Sequence, residues 1–308
     1  MSPETHPKYG RSTLSMLFGL LLCILGPGAA ASEATPDPHF VSYVDWSGGR
    51  LIIEGRCDLE HPAGPKSRYD AEKRIEELLP EAFLGAVWEL QVDSSQTMGD
   101  ILAEEEELLE RVLSLVAAGV KEDARYTRSM DAVRVRYVYP LFGSQGLAEA
   151  LVNHVRSFPI RRVPGFVPTI RFSGIVIYAK GEYDQFSKDE KAALIPCLFP
   201  RIYDQEMRLV LEKTMCDPGM LRRWGMIGYT GGMDLVSFSP RIGSFPLTIL
   251  ARAIYGENGT DIIIPTESAA KLLALEANRR LLAEGRILVI YDDLAAPESP
   301  GLAESRPP

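Results

Sequence analysis

The stretch Thr169-Ile-Arg-Phe-Ser-Gly-Ile-Val-Ile-Tyr-Ala-Lys-Gly181 decides how the C-terminal half of the chain is expected to fold. Its centre, residues 175–178, is a short apolar block of β-branched and aromatic residues, which is typical of a strand covered on both faces. The run Cys197-Leu-Phe-Pro-Arg-Ile-Tyr-Asp204 follows it. We expect the two stretches to pair as the buried centre of a sheet, with the rest of the C-terminal half packed around them.

The N-terminus has the parts of a secretory signal peptide. A polar segment with Lys8 and Arg11 precedes an apolar run over residues 16–26, and Ala29-Ala30-Ala31 supplies a small-residue cleavage site. We predict a signal peptide over residues 1–31 and a mature protein that is periplasmic or associated with the outer envelope. The alternative is an uncleaved N-terminus that associates the protein with the membrane. A lipid anchor on Cys23 is disfavoured, because the residue before it is Leu22 and not a small residue.

The charge of the mature chain argues against two classes of partner. Residues 1–31 contain Glu4, Lys8 and Arg11, a net charge of +1, so their removal moves the net charge of the chain from −9 to −10. Nonspecific binding to nucleic acid or to anionic lipid needs clustered Lys and Arg. We therefore expect no nucleic-acid partner.

The cysteines and histidines give no sign of a metal site. Cys57, Cys197 and Cys216 are expected to be small buried hydrophobic residues, and a disulfide between the last two is the alternative that an exported protein permits. The mature histidines are His39, His61 and His154, and none of them lies near a cysteine or another histidine at metal-ligand spacing. We predict no metal.

A proline-rich segment divides the mature chain into two predicted domains. Residues 157–168 contain three prolines and a glycine, which resist both helix and central strand. We predict a first domain over residues 40–157, a linker over residues 158–168 and a second domain over residues 169–293. Residues 294–308 are rich in Pro, Ser, Glu and Ala, so we predict a disordered tail.

The first domain is predicted to run β-β-α-α-β-β, with antiparallel strands. Its first two strands flank the turn Ser47-Gly48-Gly49, and its last two form a hairpin over residues 120–141. In that hairpin, apolar residues alternate with Arg134 and Arg136. We therefore expect one face of the sheet to be exposed to solvent.

The helices of the first domain carry capping signals. Ser67 precedes Asp70 by three residues, the spacing of a capping box, and Pro80 is expected to kink or split the same helix. Thr97 and Asp100 repeat the capping-box spacing at the start of a second helix. Both helices are expected to pack on the sheet.

The second domain is predicted to contain two hairpins and a β-α-β unit. One hairpin turns at residues 204–207, and the other joins residues 247–255 to residues 261–264 across Asn258-Gly259. A helix then begins at Thr266 and ends at Gly285, before a strand over residues 287–291. The fold class is α+β, with two domains that each pack a mainly antiparallel sheet against helices.

No recognised catalytic motif occurs in the sequence, so we predict no catalytic residue and no cofactor. The glycine-rich segment over residues 225–232 lacks the Lys-Ser/Thr of a phosphate loop and is interpreted as a turn. The candidate ligand-binding or partner-binding residues are Arg201, Asp204, Tyr229 and Arg241. Structural roles, in which these side chains hold loops together, are the alternative.

Residues 40–143 resemble the repeated unit of a bacterial envelope-lipoprotein family related to the N-terminal domain of flagellar assembly protein T. The features are a strand hairpin, an Ala-x-x-x-Ile helix, Leu90-Gln-Val-Asp93 before Thr97-Met-Gly-Asp100, and Arg134-Val-Arg-Tyr-Val-Tyr139 before Pro140-Leu-Phe-Gly143. The C-terminal half resembles a domain attached to that unit in spirochaete exported proteins. Its features are Phe172-Ser-Gly-Ile-Val-Ile177, Phe199-Pro-Arg-Ile-Tyr-Asp204, Gly225-Met-Ile-Gly-Tyr229 and Arg241-Ile-Gly-Ser244. The resemblance implies a lipoprotein or periplasmic protein without assigned catalytic residues.

The export signal and the resemblance together predict a noncatalytic structural or docking protein of the envelope, linked to flagellar or other envelope assembly. Its partners are then other envelope or flagellar proteins. The alternative functions are an exported small-ligand-binding protein and a hydrolase, each with its site in an interdomain cleft. The oligomeric state is left open by the sequence.

Overall fold

The computed structural model describes residues 37–59, 64–186, 188 and 190–293. The signal peptide over residues 1–31, Cys23 and the tail over residues 294–308 lie outside the described residues, so what we expect of them stays a prediction. Within the described ranges, no helix is both long enough and apolar enough to cross a membrane.

Strands and short helices follow each other along the described chain. The strands are β1 (His39–Asp45), β2 (Arg50–Asp58), β3 (Val120–Tyr126), β4 (Ala132–Pro140), β5 (Ile175–Ala179), β6 (Tyr183–Asp184), β7 (Lys191–Ala192), β8 (Ile202–Asp204), β9 (Leu209–Leu211), β10 (Gly228–Thr230), β11 (Leu247–Leu250), β12 (Ala253–Tyr255), β13 (Asp261–Ile264) and β14 (Ile287–Tyr291). The α-helices are α1 (Pro65–Trp88), α2 (Met98–Glu104), α3 (Glu106–Ser114), α4 (Pro218–Trp224), α5 (Ser239–Ile242), α6 (Thr266–Ala274) and α7 (Glu276–Ala283).

The N-terminal region, residues 37–151, is built on an antiparallel sheet in the order β1-β2-β4-β3. Both predicted hairpins are confirmed, and β2 and β4 pair along their whole length. The inner face of this sheet is covered by α1, where Gly55 lets the side chain of Ile75 approach the strand. The outer face carries Arg134 and Arg136, as predicted, and both are partly exposed.

The first predicted helix lacks the capping box that we expected at its start. The N-cap of α1 is Gly64, which makes no side-chain capping hydrogen bond, so the predicted capping box of Ser67 and Asp70 is wrong. Pro65 occupies the first helical position, where its fixed φ suits a helix and its missing N–H costs nothing. The helix also continues through Pro80 without splitting, because buried side chains on both sides of it pack on the sheet. The capping box of Thr97 and Asp100 is confirmed at the start of α2.

The C-terminal region, residues 174–293, holds a parallel sheet that the sequence did not predict. Its order is β10-β14-β5-β11, and every neighbouring pair in it is parallel. A second sheet has the order β12-β13-β8-β9, with β13 and β8 parallel and the outer pairs antiparallel. The α+β class is confirmed, but the expected antiparallel order fails for the main sheet of this region. The physical reason is that long connections, not tight turns, join the neighbouring strands.

The predicted pairing of the two central stretches is also wrong. Strand β5 lies between β14 and β11, whereas the Cys197-to-Asp204 run supplies β8 of the second sheet. The predicted hairpin across Asn258-Gly259 is confirmed only for β12 and β13, because residues 247–255 divide between β11 and β12. The hairpin between β8 and β9 is confirmed. Strands β13 and β14 belong to different sheets, so the predicted β-α-β unit does not close within one sheet.

A strap of irregular chain, residues 152–173, links the two regions and follows a 3-10 turn over Leu147–Leu151. The main-chain N–H of Phe158 donates to the carbonyl oxygen of Thr214 at 2.8 Å. The buried Asn278 holds the other end, because its Nδ2 donates to the carbonyl of Ile170 at 2.9 Å and its Oδ1 accepts from the N–H of Phe172 at 3.1 Å. The strap, which includes the predicted linker, is thus fastened to the C-terminal region.

The apolar core is continuous from one region to the other. A single cluster of buried side chains includes Phe83 and Tyr139 of the N-terminal region together with Ile177 and Val289 of the C-terminal region. Main-chain hydrogen bonds also cross the junction, from Leu198 to Gln91 at 3.1 Å and from Phe199 to Val92 at 2.8 Å. The division into two domains stays a prediction, and the two regions share a core.

Candidate functional site

Asp204, one of the four predicted binding residues, closes the turn after β8. Its Oδ1 accepts hydrogen bonds from the main-chain N–H groups of Glu206 at 3.0 Å and Arg208 at 2.9 Å, and its Oδ2 accepts from Nε of Arg208 at 2.7 Å. Burial opposes ionisation of this carboxyl, but these hydrogen bonds outweigh burial and lower its pKa. The structure therefore assigns Asp204 to the turn, where the protein itself occupies both carboxylate oxygens.

Arg201 lies beside a buried acid that sequence reasoning did not single out. Its main-chain N–H donates to Oδ1 of Asp261 at 2.8 Å. The Asp261 side chain is fully buried in β13, and its Oδ2 has no hydrogen-bond partner among the described residues. Burial is the main cause that raises the pKa of Asp261 above that of an ordinary carboxyl. This acid has no solvent access, so we assign it an effect on stability and not on binding.

Replacing Asp261 by asparagine is expected to change how the stability of the protein depends on pH. A carboxyl whose pKa is raised on folding contributes fully below its unfolded pKa, and the contribution is lost as pH rises through the folded pKa. The free energy of unfolding of Asp261→Asn, minus that of the unsubstituted protein, should therefore increase from mildly acidic to neutral pH. Urea titrations at a series of pH values measure this difference.

Asp204→Asn is a matched control for that experiment, because Asp204 is an equally buried carboxyl whose pKa shift has the opposite sign. Its contribution is present above the unfolded pKa and is lost as pH falls through the folded pKa. The corresponding difference should therefore decrease from acidic to neutral pH. A pH-independent difference for Asp261→Asn would contradict the prediction.

Tyr229, the third predicted residue, lies in β10 at the junction of the two regions. Its hydroxyl donates to the carbonyl oxygen of Cys197 at 3.1 Å, and its ring makes edge contacts with Trp46 and Tyr291, with centroids 5.5 and 5.7 Å apart. The side chain is buried, which raises its pKa well above the ordinary value. Tyr229 therefore joins the regions and does not face solvent.

Arg241, the fourth, is a buried cation held by carbonyl groups. Its Nη1 donates to the carbonyl oxygen of Ile287 at 3.3 Å, and its Nη2 donates to that of Gly225 at 3.1 Å and to that of Trp224. Among the described residues, no carboxylate lies within ion-pair distance of it. The side chain is only 7% exposed, and burial lowers its pKa to about 10. Arg241 ties the end of α4 to β14 and keeps an uncompensated positive charge.

A cleft of about 370 Å³ lies between the two regions, and Arg241 forms part of its wall. The N-terminal region contributes the β1–β2 turn, residues 46–50, and the segment after β4 with Phe142. The C-terminal region contributes the end of α4 and residues 237–241. The lining residues are Trp46, Ser47, Gly48, Gly49, Arg50, Pro140, Phe142, Arg223, Trp224, Ile227, Gly228, Ser237, Phe238, Pro240 and Arg241.

The chemistry of the cleft is cationic and aromatic. The guanidinium carbons of Arg223 and Arg241 lie 5.3 and 5.2 Å from the centroid of the Trp224 ring. Nε1 of Trp224 donates to the carbonyl oxygen of Glu284 at 2.9 Å, which fixes the orientation of the indole. No carboxylate, histidine or thiol is among the described lining residues. The arrangement can bind, but it offers no general acid–base pair.

Of the four residues predicted from the sequence, only Arg241 lines the cleft. Sequence reasoning missed Trp46, Phe142, Arg223 and Trp224. The available signal was the basic–aromatic pair Arg223-Trp224, directly before the glycine-rich segment. Nothing in the sequence connects that pair to Trp46, because the two are brought together by the tertiary fold.

A larger concavity of about 630 Å³ lies beside α7, where the end of the strap meets the C-terminal region. Its walls carry Arg171, Arg280 and Arg286, and the last two lie 3.7 and 3.2 Å from Glu276 and Glu284 respectively. Much of its charge is therefore compensated by the protein. The smaller cleft is the stronger candidate for a ligand site.

The outer face of the N-terminal sheet is a second candidate surface. The strand register places His39, Arg56, Arg134 and Arg125 side by side, in a row that crosses the whole sheet. The side chains of Arg56 and Arg125 are 44% and 65% exposed. Like charges directly opposite each other are unfavourable in a sheet, so such a row is not explained by stability.

Neighbouring acids compensate this row only in part. Arg56 lies 3.1 Å from Asp58, and Arg125 lies 3.1 Å from Asp123, whereas Arg134 has no ion pair with a described residue. We call His39, Arg56, Arg134 and Arg125 the basic row. Two of its three arginines are thus paired with acids, and Arg134 supplies the positive charge that no described acid pairs with.

Thiol and metal chemistry find no support in the described part of the chain. Cys197 and Cys216 are both buried and form no disulfide, which agrees with the prediction that they are small buried residues. Burial raises the pKa of both thiols, so neither is an activated nucleophile. No cluster of three or more His, Cys, Asp or Glu side chains in the described ranges could hold a metal ion.

Together, the shared core and the cleft define a two-part α+β protein with its candidate site at the junction. Residues 38–144 match the family model of the N-terminal domain of Treponema pallidum Tp0624, and residues 174–293 match the model of the second domain of the same protein. A comparison with curated proteins finds no match. The predicted resemblance to spirochaete proteins is therefore confirmed at the level of these domains, and the relation to flagellar assembly protein T stays a prediction.

Proposed function

We propose that the chain is a noncatalytic, exported protein of the cell envelope that docks onto another envelope protein through the outer face of its N-terminal sheet. The observation that carries this proposal is the basic row, which lies on a sheet face opposite the one that α1 covers. The export signal and the match to Treponema domains support the envelope setting. The resemblance to flagellar assembly protein T makes flagellar assembly one setting for such docking.

The occupant that fits the basic row is an acidic segment of a protein. The row presents guanidinium groups on adjacent strands, so carboxylates spaced along a polypeptide would meet them in sequence. The apolar Val41, which is 58% exposed on the same face, gives such a segment a nonpolar contact beside the charges. Complementary charge of this kind increases the specificity for an acidic partner and the rate of association.

Photo-crosslinking in the producing bacterium tests this proposal. In one variant, a photoreactive amino acid replaces Val41, which leaves the basic row intact. In a second variant, it replaces Tyr69, an exposed residue on α1 of the same region. We expect a covalent adduct from position 41 with an envelope protein that mass spectrometry identifies, and none from position 69. Fractionation of the same cells should place the mature chain, beginning near Ser32, outside the cytoplasm.

Charge reversal separates docking from chance proximity. Arg134→Glu should abolish the adduct from position 41, whereas Arg111→Glu, an exposed substitution on α3, should leave it unchanged. An adduct that survives Arg134→Glu, the absence of any adduct from position 41, or recovery of full-length chain in the cytosol would each overturn the proposal. Binding of the purified protein to anionic vesicles through Arg134, without a protein adduct, would replace the protein partner by a membrane.

A second candidate function, the binding of a small ligand between the regions, is favoured by the cleft. The guanidinium and aromatic lining supports binding over hydrolysis, because the described lining residues offer no carboxylate pair.

A further inference from the structure

We propose that the cleft between the two regions binds a small organic anion with a planar ring, with Arg223 and Arg241 facing its charge and Trp46 and Trp224 contacting its ring. This site is separate from the basic row, so it does not depend on the docking proposal. Both the charge and the shape of the cleft point to this class of ligand.

The charge argument begins with Arg241. Three hydrogen bonds of its guanidinium go to neutral carbonyl groups, and no described carboxylate pairs with it, although it is only 7% exposed. Elsewhere in the described chain, less buried arginines have acidic partners, such as Arg136 with Glu54 at 2.6 Å and Arg208 with Asp204 at 2.7 Å. A buried cation without a counter-charge is unfavourable. An anion in the cleft would supply the missing charge.

Arg223 adds a second cation at the mouth of the cleft. It is exposed, its guanidinium lies over the Trp224 ring, and it forms no ion pair with a described residue. A guanidinium held over an indole keeps its N–H groups in one plane, which suits bidentate binding of a carboxylate or a phosphate. Arg50, by contrast, already pairs with Asp45 at 2.7 Å, so it contributes less free charge to the same cleft.

Gly228 leaves room for the guanidinium of Arg241 in the wall of the cleft. A Cβ atom added to Gly228 would lie 2.5 Å from Nη1 of Arg241, so a side chain at position 228 would displace the guanidinium. Gly49, in the opposite wall, has a φ of +63°, a left-handed conformation that suits glycine. The turn can therefore pass close to the cleft without filling it.

The size and the walls of the cleft favour a ring. A volume of about 370 Å³ lies in the lower part of the range for small-molecule sites. Trp46 belongs to the N-terminal region and Trp224 to the C-terminal region, so the two indoles line the cleft from different sides. Phe142 and Phe238 add apolar surface to the lining. Aromatic walls of this kind favour stacked or edge contacts with a planar ligand.

Tryptophan fluorescence gives a direct test. The chain has three tryptophans, and two of them line the cleft, so Trp88→Phe leaves only the cleft reporters. The probes are benzoate and phenyl phosphate, which separate carboxylate from phosphate. Benzamide and phenol are the neutral counterparts, and acetate and inorganic phosphate are the anions without a ring.

We expect at least one of the two aromatic anions to change the fluorescence saturably in the millimolar range or below, with weaker binding of its neutral and ringless counterparts. Arg223→Gln should raise the dissociation constant by about tenfold or more, because a charge-assisted hydrogen bond is lost. Arg111→Gln is the matched control, since Arg111 is an exposed arginine outside the cleft, and it should have no effect. Circular dichroism confirms that each variant is folded.

Several results would overturn the proposal. These are no saturable change with either aromatic anion, equal affinity for the neutral counterparts, or an unchanged dissociation constant in Arg223→Gln. Arg134→Glu should leave binding intact, so failure of this proposal and failure of the docking proposal are distinguishable.

Discussion

Replacing Arg241 by methionine is expected to lower the free energy of unfolding by about 3 kcal/mol or more. The substitution removes the donors of three carbonyl groups, those of Trp224, Gly225 and Ile287, which belong to the end of α4 and to β14. Burial of the cation opposes folding, as its lowered pKa of about 10 indicates, so the substitution by methionine removes the desolvation penalty of the guanidinium. Each buried carbonyl left without a donor costs about 1–3 kcal/mol, so the loss outweighs the relief. Urea unfolding followed by circular dichroism measures the change.

Arg241→Lys is the informative companion to this variant. Lysine keeps the charge, but its compact ammonium cannot reach the same set of carbonyls as the planar guanidinium. We expect the free energy of unfolding of Arg241→Lys to lie between that of the unsubstituted protein and that of Arg241→Met. A methionine variant as stable as the unsubstituted protein would contradict this prediction and would show that the carbonyl bonds contribute little to stability.

The local signals in the sequence were sufficient for the N-terminal sheet. A turn of Ser47-Gly48-Gly49 between apolar runs predicts a hairpin, and alternation in β4 predicts which face is exposed. The capping box at Thr97 succeeded for the same reason, because its hydrogen bonds span only three residues. The box expected at Ser67 failed because Pro65 begins the helix earlier.

Local sequence signals did not predict the strand pairing of the parallel sheet. The apolar run of β5 correctly predicted a strand covered on both faces, a pattern that is itself typical of parallel sheets. Its neighbours β11 and β14 lie far away in sequence, and no turn motif records such a pairing. Local sequence therefore carries no signal for the orientation of these strands, and the partner expected for β5, the strand β8, belongs to another sheet.

The candidate cleft was only partly accessible to sequence reasoning for the same physical reason. Its walls come from residues 46–50, 140–142 and 223–241, which the tertiary fold brings together. Arg241 was singled out because it begins a matching motif, yet its carbonyl contacts also fulfil the structural alternative. The polar groups of Asp204 and Tyr229 are buried and bonded within the protein, which is the arrangement that the structural alternative describes.

Replacing Phe83 by alanine is expected to destabilise both regions together, by about 3–5 kcal/mol. Phe83 is fully buried on α1, and its ring lies against Tyr139 with centroids 4.5 Å apart. Both residues belong to the cluster that continues into the C-terminal region, so a cavity in α1 should weaken the whole cooperative unit. The substitution is made in a background of Trp46→Phe and Trp88→Phe, which leaves Trp224 as the fluorescent reporter of the C-terminal region.

In this background, Phe83→Ala should lower the urea midpoint measured by Trp224 fluorescence and the midpoint measured by far-UV circular dichroism by the same amount. The dependence of the free energy of unfolding on urea concentration should not change. Met233→Ala is the control, since this side chain is 66% exposed and its loss should change stability by less than about 0.5 kcal/mol. A Trp224 midpoint that stays in place, while circular dichroism resolves two steps, would contradict shared unfolding. It would instead support the boundary that the proline-rich segment predicts, with the strap joining two independent domains. Coincident transitions would mean that both walls of the cleft belong to one cooperative unit.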